Sequence, residues 1–77
     1  MIRELETVVL TGDVAEHGLR KGDVGTVVHV YEAGAAFEVE FLTAQEGTTV
    51  AVLTLDSTQV RGLRKGEILS ARPLETA

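Results

Sequence analysis

Short runs of Val, Thr and Leu, separated by turn residues, constrain the fold of this chain more than any other feature. The clearest run is FEVEF at residues 37–41, in which apolar and acidic residues alternate. The two Phe and Val39 therefore share one face of a strand, and Glu38 and Glu40 share the other. No segment of the main body repeats apolar residues at the 3.6-residue period of a helix. The pattern predicts an all-β chain.

Four further runs are typical of strands because they are rich in β-branched residues and end at Gly, Asp or Ser. They are residues 7–11, 25–31, 48–55 and 59–61. Five strands at a spacing of roughly ten residues predict a small antiparallel barrel, since curling a small sheet protects most of its edges. A long first loop at residues 13–23, two hairpins and a one-turn link before the last strand form the SH3-like order. The predicted fold is a five-stranded SH3-like barrel.

The composition limits the core and the cellular setting of such a domain. Apolar residues make up 44 % of the chain, but only one Tyr and two Phe supply rings, so the core is expected to be aliphatic. The chain has no cysteine, which excludes disulfides and thiolate metal sites. The N-terminal segment MIRELETVVL has no apolar run long enough for a signal peptide or a membrane span. We expect a cytoplasmic protein with no membrane association.

The charge is unevenly distributed along the chain. The net charge is −5, and no Lys or Arg lies between Gly22 and Val60, whereas six acids do. Four cations and two acids are found from Arg61 onward. The net charge disfavours general binding to nucleic acid, which scales with the cations offered to the phosphates. The plainer interpretation of the acidic body is a solvated strand face that aids solubility.

One heptad occurs twice, as GLRKGDV at residues 18–24 and as GLRKGEI at residues 62–68. In the first copy, Gly22 is expected to adopt a positive φ, Asp23 to cap the turn, and Gly25 to enter a crowded, curved strand. A phosphate-binding loop is disfavoured, because a strand rather than a helix N-terminus comes next. The residues predicted to form this structural turn are Gly18, Gly22, Asp23 and Gly25.

The second copy of the heptad precedes a different kind of segment. Leu69 stands in place of Gly25, and Pro73 would interrupt a continuing strand. We expect one turn chemistry used twice, with a short extra strand at residues 68–72 after the second copy. The predicted organisation is a barrel at residues 1–61 and a C-terminal extension at residues 62–77 with a disordered end.

No group of residues is typical of catalysis or metal binding. His17 and His29 are the only imidazoles, and a zinc site requires three or four converging ligands. Glu38 and Glu40 resemble paired carboxylates, but no apolar pocket is implied that would raise the pKa of either. The hydroxyls lie in no nucleophile motif. We therefore predict a protein that is not an enzyme, with no catalytic residues, no metal and no cofactor.

The chain resembles a small uncharacterised bacterial family known as a domain of unknown function (number four-nine-two-six), whose members look like SH3-type barrels. The matching residues read T-V-V-L, then H-G-L-x-x-G-D-x-G-T-V-V, then V-E-F, then V-x-T-L. The resemblance covers about residues 1–61. The G-D-x-G-T-V-V core also resembles, more loosely, the KOW motif of ribosomal and transcription-factor barrels. The resemblance implies a fold and no activity, and the C-terminal extension departs from the family pattern.

These observations favour a non-enzymatic interaction module that binds another protein, for example in an antitoxin-like or regulatory role. Two alternatives are a KOW-like module that binds RNA or the ribosome, which the charge disfavours, and an accessory subunit of an enzyme complex. Proline-peptide binding is disfavoured because the chain lacks a row of aromatic residues. We also expect a weak homodimer through a sheet edge or the tail. The candidate partner-binding residues are Arg20, Lys21, Glu38, Glu40, Arg64 and Lys65.

Overall fold

The computed structural model describes residues 1–74, which form five β-strands joined by short connections. The strands are β1 (Thr7–Leu10), β2 (Val24–Tyr31), β3 (Ala36–Leu42), β4 (Thr49–Asp56) and β5 (Val60–Gly62). Single 3₁₀ turns at Ala15–His17 and Glu32–Gly34 interrupt the first loop and the first hairpin. The prediction of an all-β chain with five antiparallel strands is confirmed.

All five strands belong to one antiparallel sheet in the order β4-β3-β2-β1-β5. Consecutive strands pair from β1 to β4, and β5 returns to pair with β1 on its free side. A bulge in β2 between Val27 and His29 shifts the register against β3 and adds local twist. Within residues 1–74 the sheet is open, with β4 and β5 as its edges. Closure into an SH3-like barrel stays a prediction.

The core cluster follows the alternation of the sequence in β3, whereas β1 buries three consecutive residues, Val8, Val9 and Leu10. Val8, Val27 and Val39 are fully buried, and Phe37 and Phe41 pack with them. The long first loop contributes one further leucine, at position 19, to this same core. That loop is therefore fixed to the sheet by an apolar anchor as well as by its turns.

Gly25 lies where β2 packs closely against β3. A Cβ built there would lie 2.7 Å from Val39 Cγ1 and 2.9 Å from the Glu40 carbonyl oxygen. It would also lie 2.9 Å from Cε1 of Phe41. Only glycine allows β2 to approach β3 this closely at the start of the strand.

The C-terminal extension begins with a turn at Lys65 and Gly66. The segment at residues 68–72, for which the sequence favours an extra strand, has no strand pairing. Its attachment to the domain is instead made by the side chain of Arg72, which binds the loop before β2. The predicted disordered end includes residues 75–77, which lie outside the described residues.

Candidate partner-binding groove

An open cavity of about 800 Å³ lies between the loop before β2, the connection from β3 to β4, and the C-terminal segment. We call this cavity the groove, and residues 69–74, which form one of its walls, the strap. The remaining lining residues are Leu19, Asp23, Val24, Phe41, Leu42, Thr43, Ala44, Gln45, Glu46 and Val50. The groove is therefore built largely from apolar side chains, with charged groups at two places.

The apolar lining combines buried and accessible side chains. Leu19 and Phe41 belong to the core cluster and also line the groove. Leu42 is 46 % exposed, and Leu69 in the strap is 58 % exposed. Accessible aliphatic side chains grouped around a concavity are typical of binding surfaces, whereas isolated ones are ordinary.

Among the described residues, the hydrogen bonds between the strap and the rest of the domain come from the guanidinium of Arg72. Arg72 Nε donates to Asp23 Oδ1 at 2.9 Å, and Arg72 Nη2 donates both to Asp23 Oδ2 and to the Gly18 carbonyl oxygen. The side chains of Arg72 and Asp23 retain 25 % and 19 % of their exposure, so the pair is partly shielded from water. Bidentate pairs between arginine and a carboxylate are stronger and more directional than single ion pairs.

The turn itself places Asp23 in position to receive Arg72. The backbone N–H of Arg20 donates to Asp23 Oδ2 at 2.8 Å, and the N–H of Lys21 donates to Asp13 Oδ1 at 2.8 Å. Burial raises the pKa of Asp23, but the hydrogen bonds from Arg72 and the Arg20 amide, with the charges of both arginines, outweigh it and leave the pKa lowered. The carboxylate is therefore ionised and held in place by the loop.

The second copy of the heptad repeats this arrangement. The N–H of Arg64 donates to Glu67 Oε1, just as the N–H of Arg20 donates to Asp23. Arg61 then binds both oxygens of Glu67, at 2.8 and 2.7 Å. The hydrogen bonds from Arg61 and from the Arg64 amide lower the pKa of Glu67 to about 2. In each copy, the acidic side chain thus accepts a hydrogen bond from a backbone amide of its own turn and forms an ion pair with an arginine from elsewhere in the chain.

The candidate residues predicted from the sequence lie at separate places. Glu38 accepts a hydrogen bond from the hydroxyl of Thr54, and Glu40 accepts one from Thr49. Both glutamates lie on the face of β3 opposite the core, as the alternation predicts. The two Arg-Lys pairs, Arg20 with Lys21 and Arg64 with Lys65, are exposed at the two turns. None of the six candidates lines the groove.

Turn geometry accounts for the glycines of the first copy. Gly18 ends the 3₁₀ turn Ala15–His17 with a φ of 70°, and Gly22 has a φ of 94°. The Gly22 N–H donates to the Leu10 carbonyl oxygen, which ties the turn to β1. Both glycines therefore serve the backbone of the turn.

Sequence reasoning misses Arg72 as a member of this site. Its sequence neighbours give no indication of a partner, because Asp23 lies 49 residues earlier. A count of charges treats Arg61 and Arg72 as two cations of a basic C-terminal part, yet both are paired with carboxylates. A signal is available in the heptad itself, since an acid follows RKG in both copies.

Clusters of three or more metal-ligating side chains and membrane-spanning helices are both absent from the described part of the chain. Residues 1–74 contain no group of three or more His, Asp or Glu side chains placed to hold a metal ion. No helical segment among these residues has both the length and the hydropathy needed to cross a bilayer.

Similarity to a known family extends over most of the chain. A family model described as a domain of unknown function (DUF4926) matches residues 4–62, which include all five strands. The match ends before Glu67 and Arg72, so the strap lies beyond it, whereas Asp23 and Gly18 lie within it. No curated protein and no solved structure matches the chain significantly. The matched region exceeds half of the chain, and the protein therefore belongs to the DUF4926 family.

Proposed function

We propose that this protein is a non-enzymatic interaction module that binds an extended segment of another protein in the groove. The observation that carries the proposal is an open, mostly apolar concavity of about 800 Å³ on a very small domain. Its wall at residues 69–74 is a segment outside the sheet, and within the described part of the chain its hydrogen bonds to the domain come from Arg72. Such a surface suits a peptide, which can replace an extended wall of this kind.

The distribution of exposed apolar residues supports this location. Val24 and Leu42, at the ends of β2 and β3, line the groove, and Leu74 lies at the end of the strap. The core of a protein interface is more apolar and less charged than its rim. Here Val24, Leu42, Leu69 and Leu74 line one concavity, and the Arg-Lys pairs and Glu46 can act as a rim.

Binding to nucleic acid receives less support. The net charge is −5, and Arg61 and Arg72 are already neutralised by Glu67 and Asp23. Phosphate contacts require cations that are available to replace counterions. A role as an accessory subunit of an enzyme complex would use the same groove, and the identity of the bound protein distinguishes that role from an antitoxin-like one.

Capture from native lysate of the source cells tests the proposal. The full chain is immobilised, and bound proteins are quantified by mass spectrometry for the wild type, Leu42→Asp and Val52→Asp. Leu42 lines the groove, whereas Val52 has a similar exposure of 48 % but lies outside it. We expect one stoichiometric protein that is lost with Leu42→Asp and retained with Val52→Asp. Equal capture by all three forms would contradict the proposal.

The charged candidates provide a second test of the binding surface. Replacing Arg20, Lys21, Arg64 and Lys65 together by Glu reverses the charge of both turns, and we expect a changed association rate with a charged rim on the partner. Replacing Glu38 and Glu40 by Gln removes the acidic face with little change in its shape. The association rate of the captured protein, measured at low and high salt, reports which face it approaches. An unchanged rate in both variants would leave these six residues outside the interface.

A further inference from the structure

The first heptad forms a site of three acceptor atoms, which we call the receptor, for a guanidinium. Three acceptor atoms converge on Arg72, namely the two carboxylate oxygens of Asp23 and the Gly18 carbonyl oxygen. The Arg20 amide holds the carboxylate in place. The guanidinium of arginine carries N–H donors in one plane, and their geometry matches these three acceptors. The ammonium of lysine is a compact charge and matches the same acceptors less well.

The second heptad provides an independent example of the same chemistry. The Glu67 carboxylate accepts a hydrogen bond from the Arg64 amide and forms a bidentate pair with Arg61. The two arginines approach from different directions in the chain, because Arg61 precedes its acid by six residues and Arg72 follows its acid by 49. In both copies the carboxylate of the turn is thus paired with a guanidinium, and the two guanidinium groups come from different segments of the chain.

The strap is attached in a way that allows it to be displaced. Within the part of the chain that the structure describes, no backbone hydrogen bond joins residues 68–74 to the sheet. Ile68 is 91 % exposed, and Leu69 and Leu74 are also exposed. A segment with few buried apolar contacts and no backbone pairing opens at low cost.

Receptor and occupant also belong to different parts of the chain. Asp23 and Gly18 lie within the region that matches the family, and Arg72 lies beyond it. The receptor is part of the folded domain, and the arginine that fills it is carried by an appended segment.

We propose that the Asp23–Gly18 site binds an arginine carried by an extended, aliphatic segment of a partner protein, and that the strap is its intramolecular competitor. This inference rests on the proposed function and specifies the partner chemistry. The arginine enters the acceptor cluster, and the flanking aliphatic residues replace Leu69 and Leu74 in the wall of the groove. The acidic receptor and the apolar groove together select such a segment over a purely cationic one.

Competition has a measurable consequence for affinity. When a ligand binds only those molecules in which the site is open, its apparent Kd equals the intrinsic Kd divided by the open fraction. If the strap is detached in about one molecule in ten, the apparent Kd rises about tenfold relative to a protein with a released strap.

The test uses a fluorescent peptide with the strap sequence EILSARPL, corresponding to residues 67–74, and full-length protein. Binding is measured by fluorescence polarisation for the wild type, Arg72→Gln and the double variant Asp23→Asn with Arg72→Gln. The Asp23→Asn change retains a side-chain oxygen that can accept from the Arg20 amide, so the turn keeps its cap. Peptides in which the arginine is replaced by lysine or by citrulline, which is uncharged, are the matched ligand controls.

We expect Arg72→Gln to bind the peptide about tenfold more tightly than the wild type. The arginine peptide should bind the double variant much more weakly than it binds Arg72→Gln. The lysine and citrulline peptides should likewise bind Arg72→Gln much more weakly than the arginine peptide does. Chemical shifts of the Gly18 and Asp23 amides should move on titration, and an unchanged remainder of the spectrum shows that each variant is folded. If the double variant does not fold, the lysine and citrulline peptides on Arg72→Gln decide the question alone.

Four results would overturn the inference. Equal affinity of the wild type and Arg72→Gln would show that the strap does not compete. Equal binding of the arginine and citrulline peptides, or no peptide binding at all, would show that no arginine receptor acts in trans. A dimer of the wild type that is lost in Arg72→Gln would assign the receptor to the strap of a second copy. Each result leaves the proposed function standing if lysate capture still depends on Leu42.

Discussion

The two GLRKG segments form the same turn but occupy different places in the fold. In each, the backbone N–H of the arginine donates to the carboxylate of the acid three residues later. The second glycine has a positive φ, 94° at Gly22 and 84° at Gly66. The first copy leads into β2 and sends Leu19 into the core. The second leads into the strap, and its Leu63 is 48 % exposed.

This difference shows how little of a turn's role is decided by its own residues. Closely similar local sequences produce the same kind of hydrogen bond from a backbone amide to an acidic side chain, because the glycine and the acid act over only a few residues. The residues packed around each turn decide its role: the first turn is anchored in the core through Leu19, whereas the second leads into the strap and leaves Leu63 exposed. Equivalent positions in the two copies therefore form matched pairs for experiment.

The largest difference is expected at the leucine of the heptad. Leu19 is 5 % exposed and belongs to the core cluster, so Leu19→Ala should lower the free energy of unfolding by about 3 kcal/mol. Leu63→Ala removes a half-exposed side chain and should cost less than about 1 kcal/mol. Urea denaturation of both variants measures the difference. Comparable losses would mean that the second turn is as firmly built into the core as the first.

The position after each heptad should give the next largest difference. Gly25→Ala places a Cβ within 3.0 Å of Val39, Glu40 and Phe41, and we expect a loss of about 2 kcal/mol through overpacking. Leu69 is the equivalent residue in the second copy and is largely exposed, so Leu69→Ala should leave the thermal midpoint nearly unchanged. A stable Gly25→Ala variant would indicate that β2 and β3 can separate to admit a methyl group.

The positive-φ glycines should differ by a smaller amount. A residue with a Cβ at either position strains the turn by about 1 kcal/mol. Gly22 donates its N–H to Leu10 in β1, so Gly22→Ala should lower the global stability by that amount. Gly66→Ala should change only local hydrogen exchange in the second turn. A global loss from Gly66→Ala would show that the extension unfolds together with the sheet.

The smallest effects concern the two carboxylates and appear as a pH dependence. The pKa values of Asp23 and Glu67 lie below their ordinary values of 3.8 and 4.5, that of Glu67 at about 2. Their ion pairs are therefore fully formed above those ordinary values and are lost as the pH falls through the lowered ones. Because both carboxylates are partly exposed, we expect local opening rather than global unfolding.

Nuclear magnetic resonance titration of the arginine side chains separates the two sites. Protonation of Asp23 should move the Arg72 Nε–H signal, and Asp23→Asn should remove that transition. Glu67→Gln should remove the corresponding transition of Arg61 and leave that of Arg72 in place. A single transition shared by both arginines would mean that the strap and the second turn open as one unit.

Much of the fold could be predicted from the sequence because its signals are local. Alternation in FEVEF predicts Phe37 and Phe41 in the core and Glu38 and Glu40 on the opposite face, as the structure has them. The β-branched runs predict five antiparallel strands. The extra strand at residues 68–72 does not form, since β-prone residues make a strand only where an edge accepts their backbone.

The binding groove could not be predicted in the same way. Its lining combines a loop, the ends of two strands and the strap, which lie far apart in the chain. Charge counting treats Arg61 and Arg72 as available cations, because a sum of charges contains no information on pairing. Interactions of high sequence separation depend on the packing of the whole sheet.

The sequence by itself determined the strand pattern and the chemistry of the two turns, because these depend on alternation, glycine conformations and hydrogen bonds over a few residues. Only the tertiary structure decided that the first turn is anchored in the core through Leu19 and receives an arginine 49 residues away. It also decided that the strap closes one side of an apolar groove. These outcomes depend on which surfaces the folded sheet brings together, and no local pattern encodes that.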